Sequence, residues 1–218
     1  MQLSDYQALV QDLLHDPEAQ VWTQSQITSY VNEGRSRICV DTWALRQILT
    51  PDVYSTLSFA AGTEFFNPQS FLPNAFGPVL VGTLGITVII NNRRLALGYR
   101  PYTWLSANYR TMVGRQSIPQ FWSVVSPAQY VIEPVPQQTY TCEFDIAVTP
   151  SALAGQQGEV DQVPVPFQTA VQYYAAYKAK INQQQLQEAQ LYLNLYMIES
   201  KRLRAAFSPR LQPYPRGR

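Results

Sequence analysis

The stretch 167–207 constrains this chain most, because it contains neither glycine nor proline. Alanine, glutamine, leucine and lysine dominate it, and these are strong helix formers. Pro164 and Pro166 stand just ahead. Proline is tolerated there because the first amides of a helix have no intrahelical partner. The stretch predicts about forty helical residues, as two helices with a break between 182 and 187.

The apolar residues of these helices do not form one narrow stripe. Phe167, Val171, Tyr174 and Ala175 mark one face, and Ala170, Tyr173 and Tyr177 another. Further on, Leu191, Leu195 and Ile198 share a face, while Tyr192, Leu193, Tyr196 and Met197 lie elsewhere. A helix that is apolar nearly all round must be covered nearly all round. Neighbouring subunits are one source of cover, with Tyr173, Tyr177, Tyr192 and Tyr196 at the subunit interface. A well-buried core hairpin within one chain is the other.

Charge density bears on this choice. Charged residues make up 14% of the 218 positions, against ~25% in ordinary domains. The net charge is +1 and 14 residues are tyrosine. Low charge and abundant tyrosine are features of association surfaces. The charges also run in blocks. Five acids and no base precede Arg35, and six bases and no acid follow Glu199. Five arginines without an acid lie between Glu64 and Glu133, then five acids without a base over 133–161. Such segregation suits complementary contacts between copies or with a partner.

Upstream, Ser4-Asp5-Tyr6-Gln7 reads as a capping box that starts a helix over 5–14, ended by Asp16-Pro17. Thr23-Gln24-Ser25-Gln26 is a second box, with Trp22 and Ile27 placed to close as a hydrophobic staple. The helix it starts runs to Trp43, with Ile27, Tyr30, Val31, Gly34 and Ile38 at helical spacing. Gly34 suggests a close helix approach. From residue 45 proline and glycine turn signals dominate. Residues 82–99 predict two strands around Asn91-Asn92, 101–112 a short helix and 119–125 a strand. Residues 139–148 alternate strictly, with Tyr140, Cys142, Phe144, Ile146 and Val148 facing one way. That predicts a half-buried antiparallel strand with 129–133 as its partner. Glu143 and Asp145 fall on its polar side.

The fold class that follows is α+β. N- and C-terminal helices pack as a helical bundle, because neither pair can bury its apolar face alone, and a central antiparallel β-rich insertion separates them. The organisation expected is 1–46 with 163–207 as a helical domain, 47–162 as the β-rich insertion and 208–218 as an extended C-terminal arm. The most apolar run, 79–90, is too short to span a bilayer. The first twenty residues are acidic, so no secretory leader is expected. Synthesis in a cytoplasm-like compartment follows.

Catalytic chemistry finds little support. His15 is the sole histidine, which disfavours a Ser-His-Asp set or a His-based metal site. Cys39 and Cys142 match no metal or redox spacing and read as buried apolar residues. There is no nucleophile elbow, phosphate loop, dinucleotide fingerprint or calcium loop. No cofactor, metal or enzyme activity is expected.

A series of short runs follows in order: Asp16-Pro17 through Trp22-Thr23 to Ile27, Tyr30-Val31-Asn32 through Arg35 to Ile38, and Asp41-Thr42. The series continues in Ser126-Pro127 to Tyr130, Glu133-Pro134-Val135-Pro136, Ala147 to Pro150 and Val163 to Val171, with Tyr174-Ala175-Ala176 behind. In this order the chain resembles the head-to-tail adaptor (connector) proteins of tailed phages. The resemblance implies a homo-oligomeric ring, typically a dodecamer, bound beneath the portal protein at the head-tail junction of the virion. Such a ring extends the channel through which genomic DNA passes without sequence-specific binding, and offers a platform to a tail or nozzle protein. In several adaptors a C-terminal segment grips the portal. Here that falls on the arm, with Leu211, Tyr214, Arg216 and Arg218. A tail-completion protein, or a host- or carbohydrate-binding β module, are the other readings. The latter would expose Trp43, Trp104 and Trp122 in a groove, whereas the adaptor reading buries Trp22 and Trp43 among helices.

The capping assignment is directly testable. Thr23→Ala removes the acceptor for an orphan amide and lowers stability by about 1 kcal/mol in chemical denaturation. An unchanged midpoint would mean that the helix starts elsewhere.

Overall fold

The computed structural model describes residues 1–54, 57–71, 80–108, 115–156 and 159–207. Helices lie at both ends of the chain, and an antiparallel β-rich region occupies its middle, as expected from the sequence. The chain divides into two compact units. Among the described residues the first draws on 1–46, 80–81 and 147–207; the second draws on 47–71 and 82–146.

The first unit holds α1 (Leu3–Leu13), α2 (Gln24–Thr42), α4 (Val165–Asn182) and α5 (Leu186–Phe207). Helix α2 begins at Thr23 with both halves of the box present: Thr23 Oγ1 accepts from the Gln26 amide at 3.3 Å, and Gln26 Oε1 accepts from the Thr23 amide at 2.9 Å. Helix α1 starts earlier than its serine suggested. Gln2 is the cap residue, its amide donating to Asp5 Oδ2 at 2.7 Å, and Ser4 lies inside the helix. A carboxylate in the first turn also meets the positive end of the helix dipole, which a serine hydroxyl does not.

Between α1 and α2, Asp16 does more than end a helix. Its carboxylate accepts the amides of Gln20, Val21 and Trp22 at 2.9–3.0 Å. Burial works to raise its pKa, but the three amides outweigh it and hold the carboxyl below its ordinary range. The loop is thereby shaped so that Trp22 enters the core ahead of Ile27.

Helix α4 is the centre of this unit. It packs on α1, α2 and α5, and its Ala170, Val171, Ala175, Ala176 and Ala179 are fully buried. Small side chains allow close approach, and at Gly34 of α2 the approach is limiting. A Cβ there would lie 3.1 Å from the Val171 carbonyl oxygen and 3.3 Å from the Tyr174 ring. The turn at 183–185 includes Gln184 with φ of +61° and reverses the chain into α5.

A fully buried arginine crosses this apolar core. Arg35, 1% exposed, sits on the same α2 face as Ile27, Val31 and Ile38. Its Nη2 and Nε lie 2.6 and 2.9 Å from Asp161 Oδ1, and its Nη1 donates to Asn32 Oδ1 and the Ser151 carbonyl. The Tyr6 hydroxyl of α1 donates to the other Asp161 oxygen. Asn32 adds a two-way pair with the Leu153 backbone at 2.8 and 3.0 Å. The loop that leads into α4 is thus fastened to α1 and α2.

In the second unit, one sheet runs in the order β1 (Arg46–Leu49), β11 (Tyr140–Val148), β4 (Leu80–Ile90), β5 (Arg93–Ala96), with β2 (Ser58–Phe59) also pairing β11. A second runs β3 (Phe65–Phe66), β9 (Gln129–Glu133), β8 (Phe121–Ser126), β6 (Gly98–Tyr99). Two short strands, β7 (Gln116–Ser117) and β10 (Val135–Pro136), pair with each other, and α3 (Tyr102–Asn108) occupies the predicted helix. Asn91 and Asn92, at φ of +48° and +62°, form the tight β4–β5 turn.

Two strand expectations change. Strand β11 does not pair with 129–133, which instead joins β3 and β8. Pro134 and Pro136 lack amides and cannot continue a ladder, so the chain leaves β9's sheet through β10 before β11 begins. The polar side of β11 is also less solvated than alternation implied. Glu143 is buried because Arg94 reaches over β4 and holds its carboxylate with Nε and Nη2 at 2.9–3.1 Å. Cys39 and Cys142 are buried free thiols whose pKa burial raises to about 12.

Removing one member of a buried ion pair strands the other charge and costs about 3–5 kcal/mol. Asp161→Ala should show a loss of that size in urea unfolding, while Arg35→Met with Asp161→Leu together loses less than the single change. Equal or greater loss in the double variant would show that the charges themselves stabilise the fold.

Candidate assembly surface

The predicted interface tyrosines are placed unevenly. On α4, Tyr173 and Tyr177 are half-buried. On α5, Tyr192 is half-buried and donates its hydroxyl to the Leu13 carbonyl at 2.6 Å, while Tyr196 is 4% exposed. Tyr196 donates to Asp41 Oδ2 at 2.6 Å and packs edge-on to Tyr174, whose ring does the same against Tyr177. Tyr177 and Tyr196 therefore meet in one place, and Tyr173 and Tyr192 do not join them. Leu211, Tyr214, Arg216 and Arg218 lie outside the described residues.

The place where they meet is a groove of about 440 Å³ between α2, α4 and α5. Its floor is Tyr174, Tyr177, Tyr196, Leu193 and Met197. Its rim carries Arg37, Lys201 and Arg204 against the single carboxylate Asp41. Arg37 Nε lies 3.0 Å from Asp41 Oδ2, and that carboxylate raises the guanidinium pKa further. Sequence reasoning missed Arg37, Asp41, Met197, Lys201 and Arg204. The signal was there: Leu193, Met197, Ser200 and Arg204 follow i, i+4, i+7, i+11, a line along one side of a helix.

A second line runs two residues out of phase. Leu191, Leu195 and Ile198 share the i, i+4, i+7 spacing and lie about 200° away around α5. Leu191 is 58% exposed and Ile198 62%. The need for cover thus resolves differently for the two helices. Helix α4 is enclosed by α1, α2 and α5, whereas α5 keeps apolar residues open on the side opposite the groove.

The tryptophans bear on the other readings. Trp22 is buried in the helical core and Trp43 is half-buried as the left-handed cap of α2. Trp122 is 3% exposed, stacked on Tyr130, and Trp104 is 38% exposed. The open tryptophan groove of a sugar-binding module would require Trp122 at the surface. Arg100 of the arginine block lies over the Trp104 and Phe121 rings, and Arg94 is held by Glu143. Arg110 lies outside the described residues. Among the described residues there is no cluster able to hold a metal ion and no helix long and apolar enough to cross a membrane.

A family model described as SU10 adaptor protein matches residues 1–213 of the chain. No curated protein matches it significantly.

The groove tyrosines have a pH signature. Burial, then the hydrogen bond to Asp41, raises the Tyr196 hydroxyl above the ordinary 10.0; burial, then the bond to Glu33, raises Tyr174 to about 12. Both favour the neutral form in the fold. Their stabilisation is whole below pH 10 and is lost as pH rises through the folded-state values. Alkaline titration at 295 nm should show a late group of tyrosines that ionise only with unfolding. Tyr196→Phe should shrink that group by one and lower stability at neutral pH by about 1 kcal/mol. A full phenolate signal by pH 11 in the folded protein would contradict this.

Proposed function

The chain belongs to the SU10 adaptor protein family, and from that membership we propose that it is a structural component of a phage virion, a head-to-tail adaptor. Copies of it form a ring below the portal, extend the DNA channel and give the tail its attachment platform. The observation that carries this reading is α5. A helix with Leu191 and Ile198 more than half exposed on one side and an aromatic groove on the other is half-covered by its own chain, and a ring supplies a neighbour on each side. Tyr173, Tyr177, Tyr192 and Tyr196 belong to the helical wall that makes those contacts.

The work of such a protein is assembly. Each subunit makes modest contacts, and closure makes them act together. A near-neutral chain suits a DNA channel, because each phosphate neutralised by a lumenal cation strengthens binding through counterion release and would retard passage. The pairing of Arg94 with Glu143 is consistent with that. The arm 208–218 docks on the portal through Leu211, Tyr214, Arg216 and Arg218, gaining affinity after an ordering cost of roughly 1–2 kcal/mol per residue.

Portal rings of the same phage, mixed with the full chain or with a chain ending at Phe207, test both parts. Mass measurement and negative-stain images should show a stoichiometric added ring for the full chain only. Rings with both chains would remove the role of the arm. No ring with either would overturn the adaptor reading in favour of a tail-completion or host-binding role.

A further inference from the structure

The groove between α2, α4 and α5 has an excess of positive charge, with Arg37, Lys201 and Arg204 facing one carboxylate. Among the described residues Lys201 and Arg204 have no ion-pair partner. Cations gathered around tyrosine and methionine fit an occupant that is acidic at its ends and apolar between them.

The same chain carries such a segment. Helix α1 carries two acids, Asp5 and Asp12, and no lysine or arginine occurs before Arg35. Its outward side is Asp5, Ala8, Leu9 and Asp12, all exposed and spaced i, i+3, i+4, i+7. These fall on one side of a helix, with the two carboxylates about 10 Å apart and Leu9 between them. The groove runs along α5 from Leu193 to Arg204, about 16 Å at helical rise, long enough to receive that side of α1. The arm 208–218 is excluded as occupant by sign, because Arg210, Arg216 and Arg218 repeat the charge of the rim.

We propose that the acidic outer face of α1 of one copy docks into the basic, tyrosine-floored groove of the next. Asp12 and Asp5 meet Lys201, Arg204 and Arg37, and Leu9 enters between Tyr177 and Met197. Two different surfaces of one subunit then meet, which is a head-to-tail contact; repeated, it closes a ring if the rotation allows. The inference rests on the reading of the chain as a self-assembling adaptor and names the surfaces that such assembly uses.

Charge exchange in the full chain tests it, with assembly followed by sedimentation velocity alone and on portal rings. Asp12→Lys and Lys201→Glu are both exposed changes, and each should weaken association about tenfold by placing like charges together. A chain with both changes should recover to within about threefold of the unaltered chain, because the reversed pair attracts again. Mixed chains bearing Asp12→Cys or Lys201→Cys should form an intermolecular disulfide under mild oxidation, against the background of the two buried native thiols. Rings that form normally with either reversal would overturn the docking and leave the adaptor reading intact. So would weakening by Lys201→Glu alone, which would assign the groove to another polyanion such as DNA. Failure of the unaltered chain to assemble under any condition would overturn both.

Discussion

The ion pair between Arg35 and Asp161 is the contact on which the helical unit depends. It joins positions 126 residues apart, in a core rich in aliphatic and aromatic side chains. Taking two charges out of water is costly, and the Coulombic gain returns that cost only when the remaining donors and acceptors are satisfied. Here Asn32, the Ser151 carbonyl, Tyr6 and the Val163 amide satisfy them. Burial and the Asp161 bond raise the Tyr6 hydroxyl well above its ordinary value, so it stays a donor. The pair therefore specifies more than it stabilises. It sets where the chain returning from the β-rich unit meets α1 and α2, and hence where α4 begins.

With α4 placed, the remaining packing follows from size. Glycine at the α2–α4 contact brings the backbones close, and Tyr174 beside it reaches on to Tyr196 of α5. Tyr174, Tyr177 and Tyr196 stack edge to face there, which leaves a groove where three helices do not quite meet. The Tyr196–Asp41–Arg37 chain of contacts keeps the floor of that groove polar enough to hold a charged rim. The open apolar side of α5 and the groove lie on opposite sides of that one helix.

The β-rich unit solves a different problem. Its sheets hold a cluster of Phe59, Phe66, Phe71 and Phe144 with ring centroids 4.9–6.0 Å apart. Arg94 pairs with Glu143 at the strand surface. That pair is largely exposed on the arginine side, so its worth lies in orientation more than in stability.

Much of the fold was legible in the sequence because its signals are local. The glycine- and proline-free stretch, the Thr23–Gln26 box, the Asn91-Asn92 turn and the break near 183 each depend on residues within one or two turns, and each stands where it was read. The placement of Gly34 was legible for the same reason, since a glycine in mid-helix asks for a close neighbour. The site was less so. Arg35 on an apolar helix face was not read as buried, and nothing in the order of residues identified Asp161 as its partner. The pairing of β11 was misread because its nearest neighbour in sequence is separated from it by two prolines, and the true partners come from far along the chain. The groove followed the same rule. Its stripe on α5 is visible as spacing, yet its opposite walls are Arg37 and Tyr174 on other helices. The amino-acid sequence by itself determined which segments are long helices and strands, and that the two C-terminal helices carry apolar residues on more than one face. Only the tertiary structure decided which of that surface is covered, because coverage is a matter of which distant side chains fill the same volume.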